Sequence, residues 1–202
     1  MQTDKTPPHE VRLTTEPRLE VRASDDNRPP KLIGYAAVFD SLSTDLGGFR
    51  ERIKPGAFAE AIAADGADVR ALVDHDPGKL LGRTANNTLT IAEDAHGLRV
   101  EVELPDTSYA RDLRTMIDRG DIAGMSFGFV VPKNGDSFAR DGQTLVRELH
   151  RIDLHEVTVT SIPAYGDTTV SVRVAPSVRT RAEESADFPR RAIANRRLKV
   201  VL

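Results

Sequence analysis

The sequence predicts an α+β or barrel-like domain, and three observations predict it. Apolar and polar residues alternate with the period of a half-buried strand through Leu98-Arg99-Val100-Glu101-Val102-Glu103-Leu104. Short apolar runs recur along the chain between clusters of Gly, Pro, Asp and Ser. Helical spacing is confined to two or three short stretches, so the strict βαβ rhythm of a parallel sheet is missing. A chain of 202 residues with 39% apolar content is long enough to bury a core of that kind.

Taken in order, the first thirty residues are broken by Pro7, Pro8, Pro17, Pro29 and Pro30. They read as a flexible N-terminal arm over 1–30, whose LEVRA at 19–23 has the texture of an edge strand. LIGYAAVFD is an apolar run of strand length, SLSTDLGG is turn chemistry and FRERI is a second short strand. Pro55-Gly56 opens an Ala-rich helix that Gly66 stops. VRALVDH at 69–75 reads as a strand, with a turn forced by Asp76-Pro77-Gly78. TLTIAED at 88–94 and LRVEVEL at 98–104 make a hairpin about Ala95-His96-Gly97. Residues 107–119 form an amphipathic helix with Tyr109, Leu113, Met116 and Ile117 on one face; Asp106 or Thr107 caps it and Gly120 ends it. MSFGFVV at 125–131 is a strand, residues 144–162 hold one or two more, and TTVSVRV at 168–174 closes the domain.

Charge is unevenly spread. Residues 32–172 carry 22 acidic and 14 basic side chains, whereas 173–202 carry eight basic and three acidic. A nucleic-acid reader places its positive charge on the folded module, so no specific nucleic-acid partner is expected. The residues from 175 to 202 read as a basic, disordered tail. The absence of cysteine excludes a disulfide framework, a zinc–thiolate site and a cysteine nucleophile. No apolar run has the roughly 18 residues that span a bilayer and no signal-peptide h-region opens the chain, so a soluble protein without a membrane partner is expected.

Gly124-Met125-Ser126-Phe127-Gly128 fits G-x-S-x-G, the nucleophile elbow of α/β-hydrolases. An elbow needs a helix directly after the serine, and Phe127–Val131 is strand-like, so that reading fails. On a strand, Ser126 shares a face with Gly128, whose missing side chain leaves room for a substrate backbone. A serine hydroxyl needs a base. Of five histidines, His9 and His96 read as exposed and idle, and His150 as an ordinary strand-surface residue. His75 ends an apolar strand between Asp74 and Asp76, at a sheet rim where sites usually sit. Asp-His-Asp is also a metal pattern, but no second cluster offers ligands at the usual spacing.

A base needs an orienting group, and RIDLHEVTVT offers Asp153, His155 and Glu156. If Ile152 and Leu154 face the core, Glu156 is an inward carboxylate that needs a partner, either a histidine or an arginine such as Arg147 or Arg83. In the opposite phase, which Val157 and Val159 favour, His155 takes that place.

Together these blocks resemble a known family. GYAAVFDSLSTDLGGFRERIKPGAFAEAI, LVDHDPGKLLGRT, GDIAGMSFGFVV and LHEVTVTSIPAYGDT, in that order, are similar to the prohead (capsid maturation) serine proteases of tailed phages, a family related to the herpesvirus assemblins. The resemblance implies a mostly antiparallel closed β-barrel surrounded by a few helices, with the protease domain over 31–174. It implies a serine endopeptidase that cleaves the scaffolding segment of the major capsid protein and then itself, as a homo-oligomer, without cofactor or metal. Its place would be the host bacterial cytoplasm, inside the prohead, with loss from the mature virion. The serine of the family pattern falls on Ser126, the histidine on His75 and the acidic third member on Glu156. A catalytically inactive head-assembly protein of the same fold is the alternative.

Overall fold

The computed structural model describes residues 9–13, 19–23, 29–161, 178, 181 and 182. Along them run β1 (Glu10–Leu13), β2 (Leu19–Arg22), β3 (Lys31–Val38), β4 (Arg50–Ile53), α1 (Ala59–Ala63), β5 (Arg70–Val73) and β6 (Asp76–Arg83). They are followed by β7 (Leu89–Glu93), β8 (Gly97–Glu103), α2 (Ser108–Asp118), β9 (Gly124–Val130), β10 (Asp136–Asp141), β11 (Thr144–Leu149) and β12 (Asp153–Thr160).

The strands form three sheets. The order is β1-β9-β12-β5-β6 in the first, β2-β3-β8-β7 in the second and β10-β11-β4 in the third. Neighbours are antiparallel except for β12 beside β5 and β11 beside β4. The alternating stretch read from the sequence is β8, whose Leu98, Val100 and Val102 are buried. They share one core cluster with Leu32 of β3, Phe127 and Phe129 of β9, Val157 and Val159 of β12, and Leu113 of α2. Each such side chain contributes about 1.5–3 kcal/mol through burial. Gly120, at φ +80°, ends α2 in the left-handed conformation that glycine adopts without strain.

The sheets do not close into a barrel, which corrects the expected closed β-barrel. Among the described residues the first sheet ends on β1 and β6, the second on β2 and β7, and the third on β10 and β4. Closure requires first and last strands to meet with a common tilt and stagger. Here several strands have only four residues, and register shifts interrupt the β3–β8, β5–β6 and β9–β12 pairs. The result is a mostly-β α+β fold of open sheets packed on one another.

Two local readings also change. Asp76-Pro77-Gly78 is not the turn: Val73 pairs with Asp76, so Asp74 and His75 form a two-residue hairpin loop and β6 begins at once. The N-terminal arm adds a strand, β1, not anticipated from its sequence, as well as the edge strand β2. The expected strand at 168–174 lies outside the described residues, as does most of 175–202. Within that stretch Val178 and Ala182 pack against Phe49 and Leu145.

Candidate active site

The site is assembled on the first sheet, where β9 and β12 lie side by side. Ser126 stands directly opposite Thr158, and Gly128 opposite Glu156. The phase of β12, ambiguous in the sequence, is decided by a register shift between Leu154 and Glu156. His155 is the extra residue of this bulge, so Leu154, Val157 and Val159 all turn to the core while Glu156 and Thr158 share the opposite face with Ser126.

His75 reaches the same face from the β5–β6 hairpin. Asp74 and His75 have φ of 48° and 58°, the left-handed pair that a two-residue turn of this twist demands. Such a conformation is strained for side-chain-bearing residues and persists only where surroundings hold it. Asp74 N–H donates to the Val159 carbonyl, and its carboxylate accepts from Ser161 N–H. His75 N–H donates to Thr158 Oγ1 at 3.0 Å. The turn is thereby tied to β12.

The imidazole bridges two side chains. His75 Nδ1 lies 2.5 Å from Glu156 Oε1, and His75 Nε2 lies 3.0 Å from Ser126 Oγ. A carboxylate only accepts, so the neutral ring that fits this contact carries its proton on Nδ1 and offers Nε2 as acceptor. Gly128 makes room for the carboxylate: a Cβ there would stand 2.8 Å from Glu156 Cγ and 2.7 Å from His9 Cε1.

Ser126 is fully buried, at 0% exposure, with β1 paired along its strand on one side and β12 on the other. Leu13 of β1 pairs with Ser126, and Ser126 Oγ lies 2.8 Å from the Arg12 carbonyl oxygen. The hydroxyl has one proton, so His75 and Arg12 compete for it.

Beside the site, β1 is anchored by buried charges. Arg12 donates from Nε to Glu51 Oε1 at 2.5 Å and from Nη2 to Glu51 Oε2 at 2.9 Å. Arg147 donates to Glu10, Glu51 and Asp136, and Arg181 closes on Asp136 from outside. Burial alone would push the Glu51 carboxyl up, but Arg12 and Arg147 together hold it below the usual carboxylate range. Asp136 is likewise held low, against its burial, by Arg181 and Arg147. The Arg12 and Arg147 guanidiniums are raised by their carboxylates despite the burial that opposes this.

Of the residues proposed from the sequence, Ser126, His75 and Glu156 come together. Asp153 is exposed at the far end of β12, and the exposed His155 ring faces that of His9, 5.7 Å between centroids. The arginines considered for Glu156 go elsewhere, Arg147 to the buried network and Arg83 to Asp68. His150 bonds Ser137 at the surface and His96 packs on Tyr35. No helix follows Ser126, since β9 continues to Val130. Sequence reasoning missed Thr158 and the cover by β1. The alternation of Glu10 and Arg12 with Val11 and Leu13 was the available signal for the latter. Among the described residues no three His, Asp or Glu side chains are grouped to hold a metal ion. No helix there is long and apolar enough to cross a membrane.

A hydroxyl, an imidazole and a carboxylate in hydrogen-bonding line are the constellation of serine hydrolases. The profile of the caudovirus prohead serine protease family matches residues 17–183, and the chain belongs to that family. It is 29% identical over 158 residues to the prohead protease of Enterobacteria phage HK97, a match covering 78% of this chain and 66% of the relative, just under two thirds. In fold it resembles the bacteriophage T4 capsid assembly protease, with a TM-score of 0.51 at 8% identity over 75% of this chain and 98% of that one.

Proposed function

We propose that the protein is a serine endopeptidase of phage head maturation, acting inside the prohead on the scaffolding segment of the major capsid protein and on itself. Ser126 is the nucleophile, His75 the general base and Glu156 the group that orients the imidazole. The observation that carries this reading is the single imidazole hydrogen-bonded by one nitrogen to Glu156 and by the other to Ser126.

The chemistry follows from these positions. As Ser126 Oγ adds to a peptide carbonyl carbon, its proton passes to His75 Nε2, and the Nδ1–H···Glu156 contact stabilises the imidazolium. The same proton then goes to the departing amine. Water, activated by His75 in turn, releases the acyl group. The protease domain spans 31–174 in this reading, flanked by the arm and the basic tail, and the enzyme leaves before the virion matures.

The complete burial of Ser126 favours a second reading, a head-assembly protein that does not cleave. Incubating the full chain with its capsid precursor separates the two, with Ser126→Ala as reference and a fluorophosphonate probe for the serine. Cleavage and labelling that vanish in Ser126→Ala support the peptidase. An intact precursor and an unlabelled serine support the second reading.

A further inference from the structure

β1 pairs antiparallel along the edge of β9 that carries Ser126. An extended peptide adding to the edge of β9 would run where β1 runs, antiparallel, with main-chain pairing supplying affinity and alternate side chains supplying selectivity. β1 lies outside the residues 17–183 that the family profile matches. The edge of β9 is thus completed by a segment the profile does not include.

Two side chains of β1 point together into the molecule, as residues two apart on a strand must. Arg12 enters a pocket in which Glu51 grips its guanidinium through two bonds and the Phe129 ring lies 5.2 Å beneath it. Glu10 accepts from Arg147 Nη1 at 3.0 Å and from Nη2 at 3.1 Å. The body of the protein therefore presents a buried carboxylate to one position and a buried guanidinium to the position two residues before it. The carbonyl meeting Ser126 Oγ is that of Arg12 itself. The sequence repeats the pattern: Glu10-Val11-Arg12-Leu13, Glu16-Pro17-Arg18-Leu19 and Glu20-Val21-Arg22-Ala23.

We infer that the β9 edge beside Ser126 is the substrate-strand site, that Glu51 with Phe129 receives an arginine or lysine immediately before the bond cut, and that Arg147 receives an acidic side chain two residues earlier. This rests on the peptidase reading and names its substrate class: extended segments of acidic-x-basic pattern, of which β1 is a tethered example. When the Arg12 peptide tips so that its carbon meets Oγ, the Oγ–C bond forms and the hydroxyl proton passes to His75. The C–N bond to Leu13 breaks and its nitrogen takes that proton. One water then hydrolyses the ester, restoring the serine and leaving Arg12 as a carboxylate. Glu51 and Arg147 are specificity residues here, with no part in the proton transfers.

The test is self-processing of the full chain, with new N-termini identified by mass spectrometry. A product beginning at Leu13, absent in Ser126→Ala, is expected. Arg12→Lys should slow it about tenfold, since lysine cannot fork onto the carboxylate, and Arg12→Glu about 100-fold or more. Combining Arg12→Glu with Glu51→Arg should restore most of the loss. Because Glu51→Arg is open to misfolding, the unmodified chain is also given synthetic peptides spanning residues 8–15, with arginine, lysine, norleucine or glutamate at the Arg12 position. Cleavage in the order arginine, lysine, then the other two supports the site. Equal rates for all four peptides, or self-cleavage indifferent to residue 12, overturn it, while fluorophosphonate labelling of Ser126 and cleavage of the capsid precursor leave the peptidase reading standing. A chain that neither labels nor cleaves any substrate removes both.

Discussion

Thr158 accepts the backbone N–H of His75 and stands opposite Ser126 in the β9–β12 pair, so one residue of β12 sets the position of two members of the site. Thr158 is buried at 1% exposure, and its Oγ1 supports a histidine whose φ of 58° needs outside help. Thr158→Val keeps the shape and removes the acceptor. Leaving the N–H unsatisfied costs about 1–3 kcal/mol. Because the loss falls on the placement of the imidazole, kcat should drop about 10- to 100-fold with KM little changed. Thr158→Ser, which retains the hydroxyl, should keep most of the activity. Equal losses in both variants would assign Thr158 to packing alone.

The three members of the site should not be equivalent. On the proposed mechanism Ser126→Ala and His75→Ala remove the nucleophile or its base, and each should cost about 10⁵-fold or more in kcat. Glu156→Gln leaves an amide that can still contact Nδ1 but cannot stabilise the imidazolium, and a smaller though still large loss is expected, about 10²- to 10⁴-fold. Steady-state cleavage of one peptide by all three variants, and by the double variant Ser126→Ala/His75→Ala, checks this. The double variant should be no worse than the worse single one, since the residues act as a unit.

Gly128 carries a prediction about space. A methyl group there would stand 2.8 Å from Glu156 Cγ, closer than unbonded carbons approach, with His9 crowding it from the other side. Gly128→Ala must therefore displace the carboxylate from His75 or lift His9 off the sheet. A stability loss of about 1–3 kcal/mol is expected, together with a fall in activity larger than that loss accounts for. Denaturant unfolding beside kcat separates the two effects. A variant of native stability and full activity would show that the chain opens there easily.

Much of this was legible in the sequence, and the rest failed for identifiable reasons. Leu98–Leu104 declared its strand because one face is apolar throughout. Ser126 and His75 stood out in the sequence only as candidates, a serine sharing a strand face with a glycine and a histidine at a strand end, and it was the family resemblance that marked them as a pair. The phase of β12 was illegible because a bulge at His155 breaks the alternation on which phase is read. The turn was displaced because Asp74 and His75 lack the glycine that usually marks a left-handed loop. The role of β1 lies in contacts across 39 and 137 positions, Arg12 with Glu51 and Glu10 with Arg147, and no local pattern encodes such partners. The closed barrel, which the family resemblance implied, failed because closure belongs to the pairing of edge strands, and these sheets end on unpaired edges among the described residues.

Acid should loosen the cover over Ser126 before it unfolds the rest. Glu51 and Asp136 are both held below their ordinary range in the folded state. In the unfolded chain they titrate near about 4.3 and 3.9. Below those values the unfolded state binds protons that the native state refuses, so stability falls as pH drops. The contribution is fully present above about pH 5 and is lost as pH falls through the depressed folded-state values. Since Glu51 holds Arg12, the amides of β1 should lose hydrogen-exchange protection at a higher pH than those of β12 in the sheet centre. Glu51→Gln should destabilise the protein by about 3–5 kcal/mol at neutral pH, by breaking a buried pair, and flatten the fall below pH 5. Thermal melts from pH 3 to 7, with exchange mapped by mass spectrometry, measure both. Parallel pH curves for the native chain and Glu51→Gln would mean that this carboxylate is not what fastens the strand.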